Sequence, residues 1–364
     1  MVKRTEVRHS TNGKVTLQQL AEHVKLTKGT VSAILNDTAV ARTIPQHTKD
    51  RVFAAARQLN YRPDFFASNL RSKSIVAVGV ITEEIGDAYG GMVISGIESY
   101  LSRHKHFFIT AAHRHDFRNL EQYVAFLLAR GVQGIITIDT VLQHPLLVPT
   151  VVVAGHIPLK GVTNITLDHA RAAQMALKHL FELGHRQIAV LRGQSFSSDA
   201  TERWFSICSA AQELGIRIPE ELAIELDTDD PSPEIGCRLT KQLLARGRFT
   251  ALFAYNDIAA IGAIRAIREA GLRVPEDVSV VGFDDIREAA YHLPSLTTVH
   301  QPLRKMGEIA AETLVQRIQG SKGYRRQILI EPEFVVREST AKAAALETGA
   351  IPRRGQTRLA RPGA

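Results

Sequence analysis

Residues 15–36 read VTLQQLAEHVKLTKGTVSAILN and hold two short helical patterns with only a few residues between them. Leu17, Leu20, Ala21 and Val24 recur at i, i+3, i+4 and i+7, and Val31, Ile34 and Leu35 at i, i+3 and i+4. Each pattern gives one apolar stripe. Thr27 places a hydroxyl where it can cap the second helix. Helices this short are not stable alone, so they must pack on each other and on a third. Residues 46–60 supply it, with Val52, Ala56 and Leu59 on one face and Pro45 suited to a first turn. Three small helices with a tight bend between the first two predict a helix-turn-helix, which lays its second helix in the DNA major groove.

The distribution of charge agrees with this. Residues 1–74 carry 13 Lys and Arg against 5 Asp and Glu, and residues 341–364 carry 5 against 1. The intervening 75–340 hold 27 basic and 31 acidic residues, so a basic head and tail flank a mildly acidic body. A basic head is the electrostatic footprint of a phosphate-backbone binder. No apolar run reaches the length of a transmembrane helix, and the first residues, MVKRTEVRHSTNGK, lack a signal peptide's apolar stretch. The expectation is a cytoplasmic, nucleoid-associated protein with no membrane contact. Cys208 and Cys237 lack metal-ligand spacing and read as packing residues.

The predicted organisation has five parts. Residues 1–14 form a disordered arm, 15–60 the helix-turn-helix domain, 61–74 a hinge linker, 75–340 a two-lobed body and 341–364 a disordered basic tail. In the body, apolar runs at 75–81, 107–112, 134–138, 150–154, 187–192, 222–226, 251–255 and 278–283 read as strands. Helical patterns fall between them, near 90–104, 118–130, 170–184, 202–215, 233–246, 257–271 and 303–319. Short continuous apolar strands alternating with helices predict parallel, doubly wound sheets, and their number predicts two α/β lobes. In the linker, Pro63 stops the preceding helix and Asp64 can cap a short new one over FFASNLR.

Several blocks in order, VTLQQLAEHVKLTKGTVSAILN, TKDRVFAAARQLNYRPDFFASNLR, HLFELGHRQIAVL, FAYNDIAAIGAIRAI, VPEDVSVVGFDD and LPSLTTVHQPLRKMG, resemble the lac repressor (LacI/GalR) family over about residues 15–340. The resemblance implies a recognition helix starting at Thr27, with base-reading positions at Lys28, Gly29 and Ala33. Thr27, Thr30 and Ser32 fall on phosphate-contacting positions. A lysine suits the guanine acceptors of the major groove. The linker matches the family's hinge helix, with Leu70 as the minor-groove wedge and Ala67 beside it. The body resembles periplasmic sugar-binding proteins, with a ligand cleft between the lobes and chain crossings near 166–168, 297–301 and 328–331. Effector positions fall on Tyr89, Arg203, Asn256 and Asp284, and Asp139, which ends the strand GIITI, joins them. Carboxylates, an amide and a guanidinium can pair with sugar hydroxyls or purine nitrogens. Three departures stand out: Lys25 and Ser206 replace glycines usual in the family, and Ala33 replaces an arginine.

An enzyme is not expected. The chain lacks GxGxxG, GxxxxGK[ST] and GxSxG, and the adjacent Asp284 and Asp285 point apart on an extended chain. The histidines at 104, 106, 113 and 115 sit beside Lys and Arg and read as a solvated edge, with no metal and no cofactor. The reading is a homodimeric repressor of pseudo-palindromic operator DNA, switched by a small sugar-like effector. Its alternatives are a solute-binding protein without a transcriptional role and a repressor that has lost its effector.

Overall fold

The computed structural model describes residues 15–61, 76–227, 232–321 and 323–343. The chain divides into two compact units, a helical head and a body that begins at Ala77. Ala67 and Leu70, the arm at 1–14 and most of the basic tail lie outside the described residues.

In the head, α1 spans Leu17–His23, α2 Lys28–Leu35 and α3 Gln46–Gln58, with a 3-10 turn at Ala39–Thr43. Thr16 opens α1 with a capping box, exchanging bonds with Gln19. The Thr27 hydroxyl caps α2 by accepting from the Thr30 amide at 3.1 Å. Leu20, Val31 and Val52, one from each helix, are fully buried and join Ala21, Val24, Ile34 and Ala55 in one core. On α3 the inward position is Ala55, while Ala56 and Leu59 are partly buried. Pro45 sits one position earlier than expected, at the N-cap of α3. Lys25 takes a φ of 53°, so the left-handed turn survives the loss of glycine at the cost a side chain pays there.

The body has two six-stranded sheets. The first, ordered β11-β5-β4-β3-β1-β2, contains β1 (Ala77–Thr82), β2 (Phe107–Ala112), β3 (Gly134–Ile138), β4 (Thr150–Val153), β5 (Val162–Leu167) and β11 (Gln327–Ile330). The second, ordered β12-β10-β9-β8-β6-β7, contains β6 (Ile188–Arg192), β7 (Ala223–Glu225), β8 (Ala251–Ala254), β9 (Ser279–Asp284), β10 (Thr297–His300) and β12 (Glu333–Val335). Every pairing is parallel except β10 with β12. Helices α4 (Ala88–Arg103), α5 (Phe117–Ala129) and α11 (Leu303–Ile318) go with the first sheet. Helices α6 (His169–Glu182), α7 (Ser198–Leu214), α8 (Pro233–Arg246), α9 (Asp257–Glu269) and the short α10 (Arg287–Tyr291) go with the second.

Central strands are apolar because both faces are covered: β3, β4 and β9 are buried at every position. Helices α4 and α11 approach closely through Gly96 and Gly307, where a Cβ would meet the facing helix's backbone. The chain passes between lobes after β5, after β10 and between β11 and β12. Strands β5, β10, β11 and β12 are additions to the eight predicted from apolar runs.

Candidate effector cleft and DNA-binding surface

The loops that follow β1, β3, β6, β8 and β9 meet at one cleft between the two lobes. Open α/β sheets bind ligands there, beyond the carboxyl ends of their strands. The cleft spans about 860 Å³, the open solvent at its mouth included. Tyr89, Asp139, Arg203, Asn256 and Asp284 all line it. Sequence reasoning missed other residues of the lining, among them Glu83, Glu84, Asp87, His115 and Tyr255. Asp87 carried a signal, since an Asp just before a helical pattern is a cap. It accepts from the amides of Tyr89 and Gly90 at 2.6 and 2.9 Å.

Arg203 projects from α7 and is 3% exposed. Its Nη2 donates to Asp199 Oδ2 at 2.6 Å and its Nη1 to the Tyr255 carbonyl at 2.5 Å. The guanidinium lies 3.6 Å above the Phe283 ring and 4.5 Å from the Tyr255 ring, so stacking fixes its plane. The buried Arg203 Nε and Tyr89 hydroxyl have no hydrogen-bond partner among the described residues. Asn256 spends its Oδ1 on capping α9, accepting from the Ala259 amide at 2.8 Å, which leaves its NH₂ to donate. Ser206, at the family's glycine position, is buried on the same helix as Arg203.

Two carboxylates turn into the cleft. Asp284 accepts from Gln301 Nε2 at 2.7 Å, and Asp139 from the Ser197 hydroxyl at 3.0 Å. Asp284 has a φ of 109° and Asp139 one of 44°, backbone regions that non-glycine residues occupy at a cost and that gather at functional sites. Burial raises both carboxyls well above the usual range; Glu83 adds to this at Asp139, whereas Arg203 opposes it at Asp284. Asp199 behaves in the opposite way. Burial would raise it, but His169, Arg203 and its hydrogen bonds hold it well below the carboxylate range. The adjacent Asp285 faces elsewhere, bound by His300 and Arg337 at 2.9 and 2.6 Å.

Behind the cleft, Asp257 accepts from Thr298 Oγ1 at 2.6 Å and from the Ile286 amide at 2.9 Å. Burial pushes its carboxyl up to about 7, against the pull of those two bonds. A pKa raised on folding contributes stability that is complete below the unfolded value and is lost as pH rises through the folded one. Asp257→Asn is therefore expected to flatten the loss of stability between about pH 4 and 7, read by chemical unfolding at several pH values. The amide can accept from Ile286 and donate to the Thr298 hydroxyl, as the protonated acid does.

The histidine expectation needs correction. His104 is exposed, but His113 is 3% exposed and its Nε2 lies 3.0 Å from Thr140 Oγ1. Burial, aided by His115, lowers its pKa to about 4. His115 lines the cleft, 3.3 Å from Glu83. His113 and His115 follow β2, whose carboxyl end is next to that of β1, so this pair turns inward rather than along an outer edge.

In the head, Thr27, Lys28 and Gly29 at the start of α2 are exposed, and Thr30 and Ser32 are half-buried. Ala33 is 9% exposed and belongs to the buried face of α2. Val31 and Ile34 of the same helix join the head's hydrophobic core, which Ala33 does not.

A bilobed α/β receptor with a helix-turn-helix head defines a ligand-responsive DNA-binding regulator. Residues 16–64 match the family described as bacterial regulatory proteins, lacI family, and residues 177–340 match a periplasmic binding protein-like domain. The HTH-type transcriptional repressor PurR of Escherichia coli O1:K1 / APEC is 30% identical over 336 residues, covering 90% of this chain and 97% of PurR. Among solved structures, the lac repressor dimer bound to operator and the anti-inducer ONPF superposes with a TM-score of 0.74 at 28% identity, over 90% of this chain and all (100%) of that one. The transcriptional regulator CelR in complex with cellobiose gives 0.66 at 27% identity, over 89% of this chain and 99% of that one. A LacI family regulator from Enterococcus faecium with bound ribose gives 0.65 at 29%, over 74% and 100%. The chain belongs to the LacI family. It is a DNA-binding transcriptional repressor with an effector-binding domain, not an enzyme, which sets aside the reading as a solute-binding protein. Among the described residues, no helix is long and apolar enough to cross a membrane.

Proposed function

We propose that the chain acts as a homodimer on pseudo-palindromic operator DNA and responds to an uncharged, sugar-like effector held by Tyr89, Asp139, Arg203, Asn256 and Asp284. The observation that carries this reading is the donor and acceptor balance of the cleft. The Tyr89 hydroxyl and Arg203 Nε are buried without partners among the described residues, and buried polar groups in folded proteins are paired. Asp139 and Asp284 line the same cleft, as acceptors when ionised and as donors too when protonated. Hydroxyl groups, which both donate and accept, satisfy all four. The charge of Arg203 is already taken by Asp199 at 2.6 Å, and Glu83, Glu84 and Asp87 add acidity to the lining. A phosphorylated sugar would meet repulsion there. Relatives of similar fold hold cellobiose and ribose.

In this reading the effector alters the angle between the lobes, and the hinge at 61–74, with Leu70 as its wedge, transmits the change to the heads. A thermal-shift screen of sugars, sugar phosphates and nucleobases tests it, since a ligand bound to the folded state raises the melting temperature. An unphosphorylated sugar is expected to give the largest shift. A shift from sugar phosphates or nucleobases alone would contradict the proposal.

On the DNA side, Lys28 is the base reader, with Thr27, Thr30 and Ser32 on the phosphates and Gly29 allowing close approach. Lys28→Ala is expected to cost about 1–3 kcal/mol on the operator and much less on random DNA. Equal losses in a competition gel-shift would remove it from base readout.

A further inference from the structure

The first turn of α7 joins the two lobes through three consecutive residues. Ser197, its N-cap, donates to Asp139 at the end of β3. The Ser198 hydroxyl accepts from the His156 amide at 3.3 Å. Asp199 Oδ1 accepts from His156 Nε2 at 3.1 Å. Asp139 and His156 belong to the first lobe, the latter on the loop between β4 and β5, whereas α7 belongs to the second. The same Oδ1 also accepts from His169 Nε2 at 2.8 Å, and Oδ2 from Arg203.

One carboxylate therefore connects a cleft residue on one side to a loop of the opposite lobe on the other. A carboxylate can only accept, so both imidazoles present Nε2–H to it, and no ion is required to explain their convergence. His156 is the sole member of this group contributed by the first lobe, and its side chain is 16% exposed against 1% for His169 and 5% for Asp199. It can leave without opening the core of either lobe.

We propose that His156 is a positioning residue that latches the lobes closed, by tying the Asp199–Arg203 pair of the second lobe to the β4–β5 loop of the first. An effector that draws on Arg203 changes the electron density Asp199 offers to His156, and so couples cleft occupancy to closure. That coupling rests on the proposed effector role of Arg203, but the latch does not, and it is tested without effector.

Full-length protein with Cys208→Ala, Cys237→Ala, Arg118→Cys and Lys241→Cys carries one nitroxide on each lobe of a protomer, and double electron–electron resonance on dimers exchanged with excess unlabelled protein reads the distance between them within that protomer. His156→Ala is expected to lower the ratio of closed to open molecules about tenfold, the effect of one charge-assisted hydrogen bond. His156→Gln, whose amide can reach Asp199, should restore most of the closed population. Ser198→Ala should give a smaller shift in the same direction. A distance distribution in His156→Ala equal to that of the parent overturns the latch. So does a failure of His156→Gln to restore closure while its melting temperature matches the parent's. If the latch variants behave as stated but no sugar binds the parent, the effector reading fails and the latch stands.

Discussion

Replacing Arg203 by alanine is expected to abolish effector response and to destabilise the body by about 3–5 kcal/mol, the cost of leaving a buried charge without its partner. The group that loses its cation is Asp199, 3% exposed and 2.6 Å from the guanidinium; its Oδ2 is left bare while Oδ1 keeps His156 and His169. Urea unfolding followed by the fluorescence of Trp204, the chain's one tryptophan and the neighbour of Arg203, measures the loss. The sign of its pH dependence is also fixed. In the parent, Asp199 is held below the carboxylate range, so its contribution is present above that range and disappears as pH falls through the folded value. Without Arg203 the carboxyl keeps its bonds from His169 and His156 but loses one of the charges that lower it, so its pKa rises relative to the parent's and less of that contribution remains. The deficit of the variant should be small near pH 3 and grow toward neutrality. Arg203→Lys keeps a charge but not the fork that serves Asp199 and the Tyr255 carbonyl together, and should recover only part of the loss. A deficit independent of pH would show that the pair contributes packing and not charge.

The second large effect lies in the head. Leu20→Ala is expected to unfold it and abolish operator binding while effector binding to the body persists. Leu20 is fully buried among residues of all three helices, and removing such a side chain costs about 2–5 kcal/mol. A unit of this size has little stability beyond that. Circular dichroism would show loss of one helical transition with a second retained, and a gel shift would show no complex. Operator binding at parental strength in Leu20→Ala would contradict the account of how the head is held together.

Periodicity made much of this fold legible. The head's stripes and the apolar runs of β3, β4, β8 and β9 obey it directly, because burial on one face or on both dictates residue type. Strand β5 shows where it stops. VTNITL is buried at every position, yet half of it is polar. Thr163 donates to the Arg325 carbonyl and Asn164 to that of Ile157, while Thr166 accepts from Gln327, and most of these partners are far away in sequence. Hydrogen bonds of that kind leave no period to read.

The cleft divides in the same way. Tyr89, Arg203, Asn256 and Asp284 follow from the family resemblance and Asp139 from its place at the end of the strand GIITI, and the structure brings all five to one lining. Asp199, His156 and His169 escaped notice because they come from separate segments and none ends an apolar strand. Their meaning lies in a shared carboxylate, visible only once the lobes are assembled. Lys25 makes the converse point. The sequence departs from glycine there, but the backbone keeps its φ of 53°, since the cores of α1 and α2 fix the turn more strongly than one side chain opposes it.

In the proposed function, a sugar-like molecule in this cleft governs operator affinity through Asp284 and its neighbours. Fluorescence anisotropy of an operator selected from a random DNA pool, titrated with parent and Asp284→Ala protein in the presence and absence of the sugar giving the largest thermal shift, tests it most directly. The sugar is expected to change the parent's operator affinity by about tenfold or more, a coupling of roughly 1–3 kcal/mol. Asp284→Ala is expected to bind the operator as the parent does without sugar and not to respond to it. A response that survives in Asp284→Ala, or a parent whose operator affinity the bound sugar leaves unchanged, would contradict the proposal.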